Sequence, residues 1–323
     1  MEPEHQASDI NDVAVKSING LIGQTNAVEQ VKVALDASHQ DGDKFPHSLL
    51  VGPAGCGKSQ TATVIASEMA SDFTEVLGQS VRTAADLNAL LLSAKDKSII
   101  HIDEAHLLQK HCQTALFLCL DRRVIIIGQK NGKEPQTIPL NDFTVLLSTT
   151  DEYLLLQPLR DRCKLVLRME YYSQDEIAKL ISMRAKMLCW RIHPAVIPAI
   201  AQRARQTPRI GLRLLQSCRR VCRSLGDTEI TIEHLNKACE LEKLDSLGLD
   251  VNQQQYLQIL LGGDSKLNVI SSRIGLPSKT ISDVVEPFLI RSELVAKDEK
   301  SGRVLTAFGR GHAMDLRQQS VKF

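Results

Sequence analysis

The amino-acid sequence predicts an α/β protein in three parts: a core on a parallel sheet, an all-helical lid and a C-terminal winged helix. Three stretches carry that prediction. Gly52-Pro53-Ala54-Gly55-Cys56-Gly57-Lys58-Ser59 fits G-x-x-x-x-G-K-[ST] in full, between the apolar run Ser48-Leu49-Leu50-Val51 and a helical segment from Gln60 to Met69. Ser98-Ile99-Ile100-His101-Ile102 is a second apolar run, and it ends in Asp103-Glu104. Beyond Val251, two helical segments around Gly275-Leu276-Pro277 precede a basic ribbon, which is the helix-turn-helix pattern with a wing.

The bulk numbers set limits. A chain of 323 residues is too long for one small core, so two or three domains are expected. With 43% hydrophobic and 24% charged residues it has an ordinary globular composition. A net charge of +1 supplies no overall field toward nucleic acid, so any DNA contact must be a local patch. Aromatics at 4% argue against a broad base-stacking platform. The eight cysteines form no C-x-x-C pair and no zinc-finger spacing; Cys218 and Cys222, four apart on a predicted helix, read as buried apolar residues. No signal peptide is visible and no apolar run reaches the ~18–20 residues of a membrane span. The expectation is a cytoplasmic protein with reduced thiols and no membrane contact.

Along the chain, residues 1–13 are polar and acidic and read as a disordered tail. The core is expected over 14–170, with strands at Ser48–Val51, Thr74–Val76, Ser98–Ile102 and Phe143–Ser148 alternating with helices. Val124-Ile125-Ile126-Ile127 and Gln136-Thr137-Ile138 flank Asn131-Gly132 and predict an inserted β-hairpin with a docking surface. The lid is expected over 171–246, with Ser173 capping its first helix and further helices from His193 to Ala204, Pro208 to Leu225 and Thr231 to Leu241. Asp245–Asp250 reads as a joint. The winged helix, over 247–323, is expected to have helices at Ser265–Arg273 and Ser278–Ile290 and a ribbon of Leu294–Lys297 with Arg303–Thr306. Lys297, Lys300 and Arg303 would lie on that ribbon and reach DNA phosphates or the minor groove.

The chemistry follows from the residue types. Gly52, Gly55 and Gly57 let backbone N–H groups approach phosphates, the helix N-terminus adds partial positive charge, and Lys58 neutralises the outer phosphates of ATP. Ser59 and Asp103 would hold Mg²⁺, and Glu104 would polarise the attacking water. Thr149, at the end of a core strand, is the expected γ-phosphate sensor. Pro158-Leu159-Arg160-Asp161-Arg162 offers an arginine to a neighbouring subunit's nucleotide or, alternatively, an internal salt bridge through Asp161. Thr207-Pro208-Arg209 opens a lid helix, Pro208 suits its first turn, and Arg209 would fold onto the phosphates.

These stretches, with Leu21-Ile22-Gly23-Gln24, His101-Ile102-Asp103-Glu104-Ala105-His106, Leu165 to Tyr172, Asp245 to Asp250 and Gly302-Arg303-Val304, make residues 18–314 similar to the RuvB family of AAA+ motors. The resemblance implies ATP-driven branch migration of four-way DNA junctions by a hexameric ring around duplex DNA. It gives Arg162 the finger role, Arg209 the lid-sensor role and Lys297 and Arg303 the wing contacts. It also suggests Tyr172 as an adenine-side contact and puts Ile22, Cys56, Gln60 and Pro208 among the nucleotide-binding residues. The 124–138 hairpin matches the one that docks a RuvA-like junction-binding partner. The chain departs from the family pattern at Ala14-Val15 (usually Arg-Pro), Asn19-Gly20 (usually two acidic residues), Gln60 (usually Thr), Gln206 (usually Gly) and Lys297 (usually Arg), so a divergent member is expected. The alternatives are a clamp-loader-like ATPase with a protein client and a nucleotide-gated DNA-binding scaffold that hydrolyses poorly.

Overall fold

The computed structural model describes residues 10, 13, 15–127, 136–298 and 302–320. The chain divides into two compact units, residues 1–180 with 207–209 and residues 181–206 with 210–323. Of the tail expected over 1–13, only residues 10 and 13 are described, and Ile10 is buried.

The first unit runs α1 (Thr25–Asp41), β1 (Ser48–Val51), α2 (Lys58–Glu68), β2 (Phe73–Leu77), α3 (Ala84–Ser93), β3 (Ile99–Asp103), α4 (Lys110–Arg122), β4 (Val124–Ile127), β5 (Gln136–Pro139), β6 (Thr144–Thr149), α5 (Gln157–Arg160) and β7 (Leu165–Arg168). Five strands form a parallel sheet in the order β2-β3-β6-β1-β7. Parallel strands covered on both faces read as continuous apolar runs, and β6 is buried at every position. The expected strands are present, each within a residue of its expected limits. The fifth, β7, was not expected as a strand; it pairs with β1 at the sheet edge. Leu49, Ile100, Ile102, Val145 and Leu147 pack from the sheet against Leu87, Leu91 and Leu116 of α3 and α4.

Register positions the site. Val51 pairs with Thr149 and Ile102 with Leu147, so the carboxyl ends of β3, β6 and β1 lie side by side. Ligands of open α/β sheets bind outside such ends. The hairpin is a separate antiparallel pair, Ile125 opposite Ile138, closed at its base by Leu140 N donating to Arg123 O at 2.9 Å. Its Asn131-Gly132 turn lies outside the described residues.

In the second unit the lid elements are the second half of α6 (Gln174–Met187), then β8 (Arg191–Ile192), α7 (Val196–Arg203), α8 (Pro208–Ser224) beyond its first two residues, β9 (Glu229–Ile230) and α9 (Ile232–Glu242). The β8–β9 pair is a two-residue parallel clasp that no sequence signal announced. Cys218 and Cys222 are fully buried, as expected of apolar cysteines.

The winged helix follows as α10 (Val251–Leu261), β10 (Ser265–Lys266), α11 (Leu267–Ile274), α12 (Ser278–Thr280), α13 (Glu286–Arg291), β11 (Val295–Lys297), β12 (Gly302–Leu305) and α14 (Ala307–Ser320). Ser265 and Lys266, expected at a helix start, instead pair with Arg303 and Gly302. A π turn over Ile281–Val285 joins α12 to α13. Pro287 has no N–H and its ring would strike the carbonyl of Asp283 in a regular helix, so the wider turn relieves the clash. Tyr256, Leu257, Ile270, Ile281, Leu289 and Leu294 form the core of this part.

Candidate nucleotide site

The loop between β1 and α2 takes the conformation its glycines permit. Gly52, Gly55 and Gly57 have φ of 153°, 76° and 95°, which strain any residue with a Cβ. The loop is also crowded. A Cβ on Gly52 would lie 2.4 Å from Met169 O, and one on Gly55 would lie 2.9 Å from both Thr207 Cγ2 and Arg209 Cβ. Thr207-Pro208-Arg209 therefore rests directly on the loop; Thr207 and Pro208 are buried, and the Arg209 side chain is exposed.

Lys58 is buried, and its Nζ donates to Gly52 O at 2.8 Å and Pro53 O at 3.0 Å. Burial pushes its pKa below the usual lysine range, against the pull of the Glu104 and Asp103 carboxylates. Ser59 Oγ donates to Asp103 Oδ2 at 2.9 Å, bringing two hard oxygen donors together from α2 and β3. Glu104 N donates to Asp103 Oδ1 at 2.9 Å. Glu104 itself sits in the left-handed region at φ 50°, ψ 46°, a conformation that costs a non-glycine residue about 1–2 kcal/mol. Gly78 makes room for it, because a Cβ there would lie 2.5 Å from Glu104 O.

Thr149 ends β6, fully buried, and its Oγ1 donates to Asp151 O and accepts from Asp151 N, both at 3.0 Å. His106, in the short 3-10 turn after Glu104, places Nδ1 3.0 Å from Thr149 Oγ1 and 3.4 Å from Glu104 Oε2.

On the other side of the loop, Tyr172 is buried and its hydroxyl donates to Cys56 O at 3.5 Å. Burial raises its pKa to about 12, so the phenol stays protonated. Its ring packs on Gly23, where a Cβ would meet Tyr172 Cε1 at 2.8 Å. Gln24 clamps the two segments by donating to Glu170 O at 2.7 Å and accepting from Glu170 N at 2.9 Å. Ile22, half-buried, precedes this contact. The segment before it is stapled to α2: Gln60 Nε2 donates to Val15 O at 2.9 Å and Ile18 N donates to Glu68 Oε1 at 2.7 Å. Gly20 abuts Val15, since a Cβ would meet Val15 Cγ1 at 2.7 Å. Ala14 lies outside the described residues.

The structure thus gathers Lys58, Ser59, Asp103, Glu104, Thr149 and Arg209 around one loop, with Tyr172 and Ile22 on its flank. Arg162 is held elsewhere: its Nε lies 2.8 Å from Asp121 Oδ1 of α4, an ion pair whose N–H is not aimed at the carboxylate. Asp161, the partner foreseen for an internal bridge, accepts from Gln157 Nε2 at 2.6 Å instead. Sequence reasoning gave His106, Gly78 and Asp121 no role. For His106 the available signal was a histidine three residues past the metal-side aspartate.

Of the ribbon residues, Lys297 is exposed and Lys300 lies outside the described residues. Arg303 corrects the expectation. It is 8% exposed, with Nε 2.8 Å from Glu286 Oε1 and a second nitrogen 3.3 Å from Oε2, while Tyr256 donates to Glu286 Oε1 at 2.6 Å. The pleat of β12 turns this side chain inward, where Glu286 needs a cationic partner.

Comparisons with known proteins agree with this geometry. Residues 13–169 match the family described as "Holliday junction DNA helicase RuvB P-loop domain", residues 172–245 the "RuvB AAA lid domain" and residues 246–313 the "RuvB C-terminal winged helix domain". The "Holliday junction branch migration complex subunit RuvB" of Fervidobacterium nodosum is 31% identical over 312 residues, covering 95% of this chain and 90% of that protein. Its counterpart in Koribacter versatilis is 34% identical over 291 residues, covering 88% and 81%. The solved structure of the Thermotoga maritima RuvB Holliday junction branch migration motor superposes with a TM-score of 0.78 at 28% identity, covering 92% of this chain and 97% of that one.

Proposed function

The chain belongs to the RuvB family, and from that premise we propose that it is an ATP-hydrolysing DNA motor that drives branch migration of Holliday junctions in recombination and repair. The observation that carries this reading is the meeting of Ser59, Asp103 and Glu104 at 2.9 Å contacts beside a buried Lys58. The loop amides cradle the phosphates of ATP, and the third N–H of Lys58 Nζ turns to the outer ones. Ser59 and Asp103 are the oxygen donors that fit Mg²⁺; the ion would neutralise charge on the phosphates. Glu104 orients the attacking water, Thr149 senses the γ-phosphate, and Arg209 reaches it from the lid arm. Tyr172 and Ile22 face the adenine side.

Arg162 acts on the nucleotide of the next copy in a ring, a head-to-tail contact that closes as a hexamer. In the ring it leaves Asp121 for the developing phosphoryl charge. The hairpin, with Ile126 44% exposed, docks a RuvA-like junction-binding protein. Lys297 contacts duplex DNA as a local positive charge. Among the described residues no helix is long and apolar enough to cross a membrane; work on DNA in the cytoplasm is part of the same proposal.

The test is migration of a synthetic four-way junction by the full chain, with and without ATP and a RuvA-like partner. The expected result is ATP-dependent resolution into duplexes that Glu104→Gln abolishes while nucleotide binding persists. ATP turnover that neither duplex nor junction DNA stimulates would overturn it in favour of a protein-directed ATPase.

A further inference from the structure

His106 lies between two residues of the candidate site. Its Nδ1 is hydrogen-bonded to Thr149 Oγ1 at 3.0 Å and stands 3.4 Å from Glu104 Oε2 without a hydrogen bond to it. The Thr149 hydroxyl has one proton, and it is placed to donate to Asp151 O while accepting from Asp151 N. With the proton there, the network assigns the ring proton of His106 to Nδ1. That N–H is directed at the threonine, with the Glu104 carboxylate close by but not hydrogen-bonded to it. The side chain is 15% exposed, so water replaces it poorly.

We propose that His106 is a positioning residue that couples the γ-phosphate sensor to the carboxylate that orients water. When the Thr149 hydroxyl turns from Asp151 to the γ-phosphate, its oxygen moves away from Nδ1. The Nδ1–H then passes to Glu104 and fixes that carboxylate for the attacking water. A diphosphate cannot draw Thr149 away, so Glu104 stays unfixed after hydrolysis. No bond is made or broken at His106; it redirects one hydrogen bond. The strained backbone of Glu104 and the tight fit of Gly78 leave the Glu104 side chain as the part free to respond.

The inference rests on the ATPase reading, and one experiment separates the two. Steady-state ATP turnover of the assembled full chain is measured for wild type, His106→Ala, His106→Asn, Thr149→Val and His106→Ala with Thr149→Val, alongside ADP affinity. Asparagine keeps a donor near the Nδ1 position. The expected result for His106→Ala is a kcat loss of about 10- to 100-fold with KM and ADP affinity within about twofold of wild type. His106→Asn should recover most of the loss, and the double variant should be no slower than the slower single one. A kcat unchanged in His106→Ala overturns the coupling. So does asparagine no better than alanine, a parallel loss of ADP affinity, or losses that multiply in the double variant. A wild type that binds ATP without turning it over sinks the motor reading itself, and the role of His106 with it.

Discussion

Arg162 and Asp121 form an ion pair between the segment after α5 and α4, with Nε 2.8 Å from Oδ1 and both side chains more than a third exposed. An exposed pair of this kind stabilises little, so the guanidinium can leave it at small cost. If Arg162 completes the site of a neighbouring copy, Asp121→Ala should leave kcat at or above wild type, whereas Arg162→Ala should lower it by about 10³-fold. Mixing Arg162→Ala with Glu104→Gln protomers should restore activity, because a wild-type finger then meets a wild-type base at some interfaces. Turnover assays on titrated mixtures read this directly, and no recovery at any ratio would mean that Arg162 serves its own chain.

Gly55 is a second point of leverage. Its φ of 76° and the 2.9 Å approaches to Thr207 and Arg209 leave no room for a methyl group. Gly55→Ala should weaken ATP binding by more than about tenfold, because left-handed strain of about 1–2 kcal/mol adds to displacement of the lid arm. Fluorescent-nucleotide titration checks it. Unaltered affinity would show that the arm moves away without consequence.

Arg303 and Lys297, paired across the ribbon, should behave oppositely. Removing Arg303 strands a buried Glu286, and breaking such a pair costs about 3–5 kcal/mol. Arg303→Met should therefore lower thermal stability sharply. Lys297→Ala should leave the melting temperature in place but weaken duplex binding and reduce the salt slope by about one. A stable Arg303→Met protein with only a DNA defect would reverse this assignment.

Acid sensitivity should trace in part to His47. Its Nδ1 accepts from Val145 N at 2.9 Å, and Lys44 Nζ stands 3.3 Å from Nε2. Burial first, and then the Lys44 charge, push its pKa from 6.5 down to about 3. The unfolded chain takes up this proton as pH falls through 6.5 and the folded chain does not. Stability should therefore drop between pH 6.5 and 3, by at most about 1.4 kcal/mol per unit. His47→Asn, which keeps an acceptor for Val145 N–H, should show a shallower decline in denaturant midpoint. Equal slopes would exclude His47 as a source.

The parts legible in the sequence were those with a local signature. The glycine loop and the Asp103-Glu104 strand end each pair a residue pattern with one backbone conformation. What escaped was set by distant neighbours. Leu165–Arg168 becomes a strand only because β1 has an open edge. Ser265-Lys266 is drawn from helix to strand by Gly302 and Arg303. Arg303 looks like a surface arginine until Glu286, seventeen residues earlier, is seen beneath it. Thr149 was singled out from its place at the end of a strand, but its contact with His106, which lies 3.4 Å from Glu104, depends on the register of β3 against β6.

The Val15–Gly20–Gln60 contacts bear on how this lineage can change. All three positions are ones where the resemblance implies another residue, and Val15 touches both of the others: its carbonyl accepts a hydrogen bond from Gln60 Nε2, and its methyl lies where a side chain at Gly20 would stand. Restoring an acidic residue at Gly20 alone would collide with Val15, and restoring threonine at Gln60 alone would untie the strap. The three positions are therefore coupled through Val15, and exchanging one of them alone should perform worse than exchanging all three together.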